Sequence, residues 1–264
     1  MPAFTESSAL TVTPLPAFND NYLWLLVRGP SAVVVDPGDA GPVRRALARR
    51  DLRLSAILVT HHHGDHVGGV VELKSMTGAP VYGPARESIP GVDHRLKDGD
   101  TVTVLDTRFA VIDVPGHTAG HIAYFAADER PPLLFCGDTL FACGCGRLFE
   151  GTAEQMVASL DRLATLPAES LVYCAHEYTL ANIRFALTIE PSNQLLKERF
   201  ERDQSARDRD EPTVPSTLGV EIATNPFLRC GVPEVRASAL GGTVDGVGRT
   251  AIFASLREKK NIFR

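Results

Sequence analysis

Along the first two-thirds of the chain, short apolar runs alternate with turns and with stretches of helical spacing. The runs Leu10–Pro14, Tyr22–Val27, Ala32–Asp36 and the one ending at Ile57–Thr60 predict strands. Each is rich in apolar or β-branched residues and bounded by Gly, Pro, Asn or Asp. Further strands are predicted at Pro80–Tyr82, Thr101–Leu105, Phe109–Val114, Ile122–Ala126, Leu133–Cys136 and Leu171–Cys174. Val43–Arg50 is spaced as a short amphipathic helix, and Val67–Met76 as another. Thr152–Leu166 reads as a helix that Thr152 can cap, with Met156, Val157, Leu160 and Leu163 on one stripe.

From about Glu177 the pattern changes. Leu180–Ile189 and Asn193–Arg209 are helical, and the charge run Lys197–Asp203 is expected to be a solvated helix face. Val214–Phe227, with two prolines and a glycine, reads as a linking loop, and Pro233–Ala239 and Val244–Leu256 as the last helices. No repeat of solenoid period is present. The layout predicts a strand-rich α/β part over residues 1–175 and a smaller helical part over residues 176–264.

Composition narrows the function classes. A chain of 264 residues, 44% hydrophobic and 22% charged, can bury a sizeable core. A net charge of −5 argues against a nucleic-acid partner, and no apolar stretch approaches a membrane span. The segment Met1-Pro2-Ala3-Phe4-Thr5-Glu6 lacks the basic and apolar regions of a secretory signal. The cysteines Cys136, Cys143, Cys145, Cys174 and Cys230 are odd in number and scattered, so a disulfide framework is not expected and a reducing cytoplasm is. Cys143-Gly144-Cys145 has no second cysteine pair nearby and reads as a tight loop. The chain is expected to be a monomer.

The candidate chemistry lies at strand ends. The apolar run Leu54–Val59 leads into Thr60-His61-His62-His63-Gly64-Asp65-His66, which puts four imidazoles and a carboxylate in six positions. Neutral imidazole and carboxylate are ligands for zinc and similar transition metals. In extended chain His61 and His63 point one way and His62 the other, and Gly64 lets the chain turn so that Asp65 and His66 reach a second point. The pattern recurs: separate apolar runs lead to His117, to Asp138 and to His176. Seven such ligands suffice for two metals sharing one carboxylate. Among the eight histidines, His62, His94 and His121 are left over, and His62 and His121 read as structural or exposed.

Thr-His-x-His-x-Asp-His, Gly-His117-Thr, Gly-Asp138-Thr and His176 together resemble the metallo-β-lactamase superfamily. Asn19-Asp20-Asn21-Tyr22, Gly144–Thr152, His176-Glu177-Tyr178-Thr179, Asn225–Arg229 and the tail Arg257–Phe263 resemble the type II glyoxalases, the hydroxyacylglutathione hydrolases. The resemblance implies an αββα sandwich followed by a helical C-terminal domain. It implies that His61, His63 and His117 hold one divalent metal, that Asp65, His66 and His176 hold a second, and that Asp138 bridges them. Zinc is the expected metal, with iron or manganese as alternatives. Asp36, before Pro37-Gly38, resembles a carboxylate that orients a ligand histidine, and reads equally as a turn former.

The implied reaction is hydrolysis of S-D-lactoylglutathione and related hydroxyacylglutathiones to D-lactate and glutathione by a metal-bridged hydroxide, the second step of methylglyoxal detoxification. Asp65 is a candidate proton acceptor. Arg147, Phe149, Tyr178, Arg257 and Lys260 are the implied substrate-binding residues, with Arg147, Phe149 and Asn261 departing from the family's more usual Lys, Tyr and Asp. Gly-x-Ser-x-Gly is absent, so no serine nucleophile is expected. The competing readings are a mononuclear-iron persulfide dioxygenase, a lactonase or β-lactamase, and a non-catalytic binding module. The complete ligand set and the long C-terminal segment favour hydrolysis.

Overall fold

The computed structural model describes residues 9–241 and 246–263. The segment Met1–Glu6 and the predicted helix start at Val244 lie outside them. Strands β1 (Thr11–Ala17), β2 (Asn21–Arg28) and β3 (Ser31–Val35) form an antiparallel meander. Pro14 and Pro16 lie in β1, an edge strand where a missing backbone donor is tolerated. Helix α1 (Ala40–Arg50), with Asp39 as its N-cap, crosses back so that β4 (Arg53–Leu58) runs parallel to β3. Helices α2 (Gly64–Val67) and α3 (Val70–Thr77) then lead to β5 (Val81–Pro84) and β6 (His94–Leu96), which complete a six-stranded sheet.

The second sheet starts with β7 (Thr101–Val104), β8 (Thr107–Asp113), β9 (Ile122–Ala126) and β10 (Leu133–Gly137), all antiparallel neighbours. A small hairpin, β11 (Leu140–Phe141) and β12 (Gly144–Cys145), precedes helix α4 (Ala153–Ala164). Strand β13 (Leu171–Cys174) pairs parallel to β10. Helices α5 (Thr179–Ile189) and α6 (Gln194–Arg207) follow, then β14 (Ser216–Thr217), α7 (Leu218–Thr224), α8 (Pro233–Leu240) and α9 (Arg249–Ile262). Strand β14 pairs with β13, so the helical segment supplies the outermost strand of the second sheet.

Period-two alternation explains the layering. On β2, Tyr22, Trp24 and Leu26 face the second sheet and share a core with Phe109, Tyr124 and Phe135. Leu23, Leu25 and Val27 face the other way and pack with Val43 and Leu47 of α1 and Val70 and Leu73 of α3. Both faces of the sheet are covered, which is why its strands read as near-continuous apolar runs. Met156, Leu160 and Leu163 of α4 join the core on the second sheet's side. The result is an αββα sandwich with a helical C-terminal segment, as the resemblance implied.

Three expectations are corrected. The helix expected over Val67–Met76 is broken at Gly68-Gly69, where the turn after β3 presses on it: Gly69 N donates to Pro37 O at 2.8 Å, and a β-carbon on Gly69 would collide with Ala40 N. Val214–Phe227 is not a plain loop but contains β14 and α7, the latter capped by Thr217. The charge run is not uniformly solvated either. Arg199 and Asp203, one turn apart on α6, are each only 2% exposed, and the Arg199 guanidinium bonds the buried Glu221 carboxylate at 2.6 Å. Their charges are compensated across a helix interface, which a single-segment pattern does not reveal.

Candidate metal centre

The predicted residues converge from four strand ends. Beyond β4, the chain passes Val59 and Thr60 and then presents His61, His62 and His63, with His63 at the N-terminus of α2. His117 stands in the loop between β8 and β9, Asp138 follows β10, and His176 follows β13. A bridge between Asn21 and His176 pins the last of these to the start of β2. Gly137 has φ +46°, and a β-carbon there would collide with Thr60 Oγ1, so the turn that aims Asp138 needs glycine.

The side chains form two groups, each with donor atoms within 4.8 Å of one another: His61, His63 and His117, and Asp65, His66 and His176. Within the first group His63 Nδ1 lies 3.1 Å from His61 Nε2 and 3.0 Å from His117 Nε2. Asp138 stands between the groups. Its Oδ2 is 3.4 Å from both His117 Nε2 and His176 Nε2, and its Oδ1 is 3.4 Å from His66 Nε2. All seven residues named by the sequence motifs are thus brought together.

The donor set suits cations. His117 Nδ1 lies 2.8 Å from Arg147 O, which can only accept, so a neutral His117 turns a bare Nε2 lone pair inward. Thr60 Oγ1 donates to Asp36 at 2.7 Å and accepts from His61 Nδ1 at 3.1 Å, with the same result for His61. His176 Nδ1 donates to Asp20 at 2.8 Å, and His66 Nδ1 faces Asp36 Oδ2 at 3.1 Å. His61, His117 and His176 can therefore aim Nε2 lone pairs at the same small space, each oriented from behind by a protein acceptor. Both ring nitrogens of His66 and Asp138 Oδ1 are buried and without a hydrogen-bond partner among the described residues, and a cation would satisfy His66 Nε2 and Asp138 Oδ1.

The electrostatics agree. Burial pushes the Asp138 carboxyl up, but His66 and His176 outweigh it and hold it well below the usual carboxylate range. Burial also disfavours charge on His66, yet Asp138 and Asp36 hold it well above the ordinary imidazole value. His61, buried and facing other imidazoles, is held well below that value and stays neutral. The carboxylates thus favour positive charge on the His66 and His176 side of the pocket, while burial keeps the imidazoles of His61, His63 and His117 biased to the neutral form that can bind a cation.

The leftover histidines take other places. His121 is buried, stacks on His61 with ring centroids 4.5 Å apart, and accepts from Asp138 N at 3.1 Å. His62 lies between Glu87 at 2.9 Å and Glu150 at 3.3 Å, and His94 stacks on Tyr82. Asp36 takes both of its readings at once: it is in a left-handed turn at φ 51° and its carboxylate accepts from Thr60 N and Thr60 Oγ1. Sequence reasoning gave no role to Asp20 and Asn21, which touch His176 and Asp65 at 2.8 Å and 3.0 Å. Asp20→Ala is expected to lower metal affinity about 10- to 100-fold without unfolding the chain, as measured by chelator competition; unchanged affinity would leave Asp20 without an orienting role.

A cavity of about 440 Å³ opens beside this centre, lined by His117 and Asp138 on one side and by Arg147, Tyr178, Arg257 and Lys260 on the other. Phe149, 63% exposed, stands edge-on over His63 and His117. Tyr178 stacks on His176 at 4.7 Å. Arg257 Nη1 donates to Cys145 O at 2.8 Å, its Nε to Asn261 Oδ1 at 3.1 Å, and its guanidinium lies over Phe227. Lys260 donates to Ala181 O at 3.0 Å and sits over the Phe185 and Phe263 rings. Among the described residues no carboxylate pairs with Arg147, Arg257 or Lys260, so the wall keeps its positive charge.

Comparison with known proteins agrees with this site over most of the chain. Residues 19–176 match the model of the metallo-beta-lactamase superfamily, and residues 177–263 that of the hydroxyacylglutathione hydrolase C-terminus. A "Hydroxyacylglutathione hydrolase" of Pseudomonas paraeruginosa is 59% identical over 233 residues, which is 87% of this chain and 90% of that one. The chain belongs to the hydroxyacylglutathione hydrolase family. A member of the same name from Nitrosomonas eutropha is 50% identical over 97% of this chain and its own full length. Among solved structures, TTHA1623 in a di-iron-bound form superimposes with a TM-score of 0.58 at 28% identity, covering 83% of this chain and 100% of its own. The family's fold together with histidine- and aspartate-rich clusters that could hold metal ions supports a divalent metal pair.

Proposed function

We propose that the chain hydrolyses glutathione thioesters, S-D-lactoylglutathione in particular, to D-lactate and glutathione. One observation carries the reading: the cavity that Arg147, Arg257 and Lys260 line reaches the metal centre at His117 and Asp138, as a thioester joined to a small anionic tripeptide requires. The relatives named above at 50–59% identity support it.

In this reading His61, His63 and His117 hold one cation, Asp65, His66 and His176 the other, and Asp138 both. A divalent pair bound there supplies Lewis acidity, lowering the pKa of a water and accepting charge from the thioester oxygen. The chain's own groups do the positioning. Arg257 and Lys260 take the carboxylates of glutathione, Arg147 adds charge at the mouth, and the Tyr178 hydroxyl faces the peptide. Phe149 covers His63 and His117 and keeps bulk water off the reacting carbonyl. Asp65, held by Asn21, is the proposed proton acceptor. As the C–S bond breaks the electron pair leaves on glutathione sulfur, a stable thiolate, so no strong general acid is needed.

Zinc is the proposed metal, since imidazole and carboxylate suit it, with iron the alternative that a di-iron relative raises. The functional unit is proposed to be the single chain, because one chain supplies every site residue. Five free, buried cysteines fit a reducing compartment such as the cytoplasm, and among the described residues no helix is long and apolar enough to cross a membrane.

Lys260 adds a pH dependence. Burial and the nearby Arg257 push its ammonium down to about 8, with Cys143 and Arg147 the other groups facing it. The side chain is cationic below that value and neutral above it. KM for an anionic thioester is therefore expected to rise as pH passes through about 8, while KM for an uncharged thioester stays flat. A flat profile for both would remove Lys260 from the binding wall.

Turnover by protein of measured metal content tests the whole proposal. Equal release of D-lactate and free thiol from S-D-lactoylglutathione, with two metals per chain, is expected. Metal-loaded protein that leaves the thioester intact, or that takes up oxygen with glutathione persulfide instead, overturns it.

A further inference from the structure

The buried charges of the helical segment end on the substrate wall. Glu221 of α7 is fully buried, and its carboxylate accepts from Arg199 at 2.6 Å, Ser216 at 2.5 Å and the backbone N–H of Cys143 at 2.7 Å. Arg199 is fixed in turn by Asp203 at 3.3 Å and Thr224 at 2.7 Å. Cys143 is a non-glycine residue at φ +56°, a left-handed conformation that an L side chain adopts at a cost of about 1 kcal/mol. This is the turn of the β11–β12 hairpin. The hairpin's second strand carries Cys145, whose carbonyl holds Arg257, and leads directly to Arg147. The far end of the segment is anchored by the Arg147 carbonyl on His117. The near end depends on the helical segment, with Glu221 as its only charged partner among the described residues.

We propose that Glu221, held by Arg199, is a positioning residue for substrate binding: its carboxylate keeps the Cys143 turn left-handed and so sets Cys145, Arg257 and Arg147 for the anionic end of the substrate. The assignment rests on the glutathione-thioester reading. It also explains why an ion network sits where a plain helix face was expected. Burying Arg199, Asp203 and Glu221 is costly for stability alone, and well-packed apolar residues would serve as well. Placed against a strained turn that carries the binding wall, the network has a reason to be polar.

The test is a double-mutant cycle on affinity for S-methylglutathione, a non-hydrolysable probe, measured by calorimetry on metal-loaded protein. Glu221→Gln keeps the size but cannot accept from both Cys143 N and Arg199. It is expected to weaken binding about tenfold, the loss of one charge-assisted hydrogen bond, with metal content kept and kcat at saturating thioester within about threefold. In a Cys143→Gly background, where glycine takes the left-handed turn without strain, the same change is expected to weaken binding only about twofold. Cys143→Val, nearly isosteric but β-branched, strains the turn with Glu221 intact and is expected to reproduce the tenfold loss even if Glu221→Gln does not fold. Equal effects of Glu221→Gln in both backgrounds, full affinity in Cys143→Val, or loss of metal along with affinity would each overturn the assignment. Wild-type protein that fails to bind S-methylglutathione defeats the glutathione reading itself. Wild-type binding with no change in the variants defeats only the role of Glu221.

Discussion

Asp138→Ala is expected to reduce kcat/KM for the thioester by more than about 100-fold and to lower metal content from two per chain to one or none. The reason is its place. Its two oxygens face His66, His117 and His176, so it touches both groups of donors at once. Losing a residue that only orients a ligand costs roughly 10- to 100-fold, and losing the shared carboxylate removes more than that. The fold should survive. Without a cation the buried carboxylate is held only by imidazoles, and alanine leaves apolar space beside a backbone whose Asp138 N–H still donates to His121. Metal analysis with circular dichroism and turnover checks each part. A variant with two metals and activity within tenfold of wild type would break the assignment of a shared carboxylate.

Arg257→Ala is expected to raise KM for glutathione thioesters about 10- to 100-fold with a smaller effect on kcat. A charge-assisted hydrogen bond contributes roughly 1.5–3 kcal/mol, which is that range. Arg257 is 6% exposed and spends two donors within the protein, on Cys145 O and Asn261 Oδ1, which hold its planar fork against the cavity. Its charge is uncompensated, since Asn261 is neutral. Arg257→Lys keeps a charge but not the fork, so an intermediate KM is expected. Because remote binding groups act on the anionic half of the substrate, an uncharged thioester should show little change with either variant. Equal losses on charged and uncharged substrates would mean that Arg257 serves the local packing against Phe227 rather than the substrate.

Much of the centre was legible along the chain because each ligand stands where a buried strand ends. A strand that reads as a continuous apolar run, such as Tyr22–Val27 or Leu133–Cys136, is fixed by local pattern, and so is the edge where its successor residue emerges. His61, His117, Asp138 and His176 could be picked out on that ground. Asp20 could not. It supports His176 from 156 positions away, across a contact between the start of β2 and the end of β13. Nothing in the neighbourhood of either residue announces the other.

The misread segments have the same cause. Arg199 and Asp203 carry the pattern of a solvated helix face, and only the arrival of Glu221 and Thr224 from α7 makes that face an interior. The break at Gly68-Gly69 follows from the 36–40 turn pressing against the helix, not from local propensity alone.

Sequence periodicity and spacing by themselves determined a strand-rich α/β part, the helical C-terminal segment and the kind of atoms that gather at the strand ends, because these depend on backbone geometry that repeats every two or four residues; the two-sheet sandwich was implied by the family resemblance of the motifs. Tertiary structure placed Asp138 between the two donor groups and Arg257 against the cavity, which the resemblance had only implied, and it alone decided that Asp20 and Thr60 turn imidazole lone pairs inward. Those relations depend on distances between segments far apart in the chain, and such distances are set only when apolar faces pack and bring the loops above them into contact.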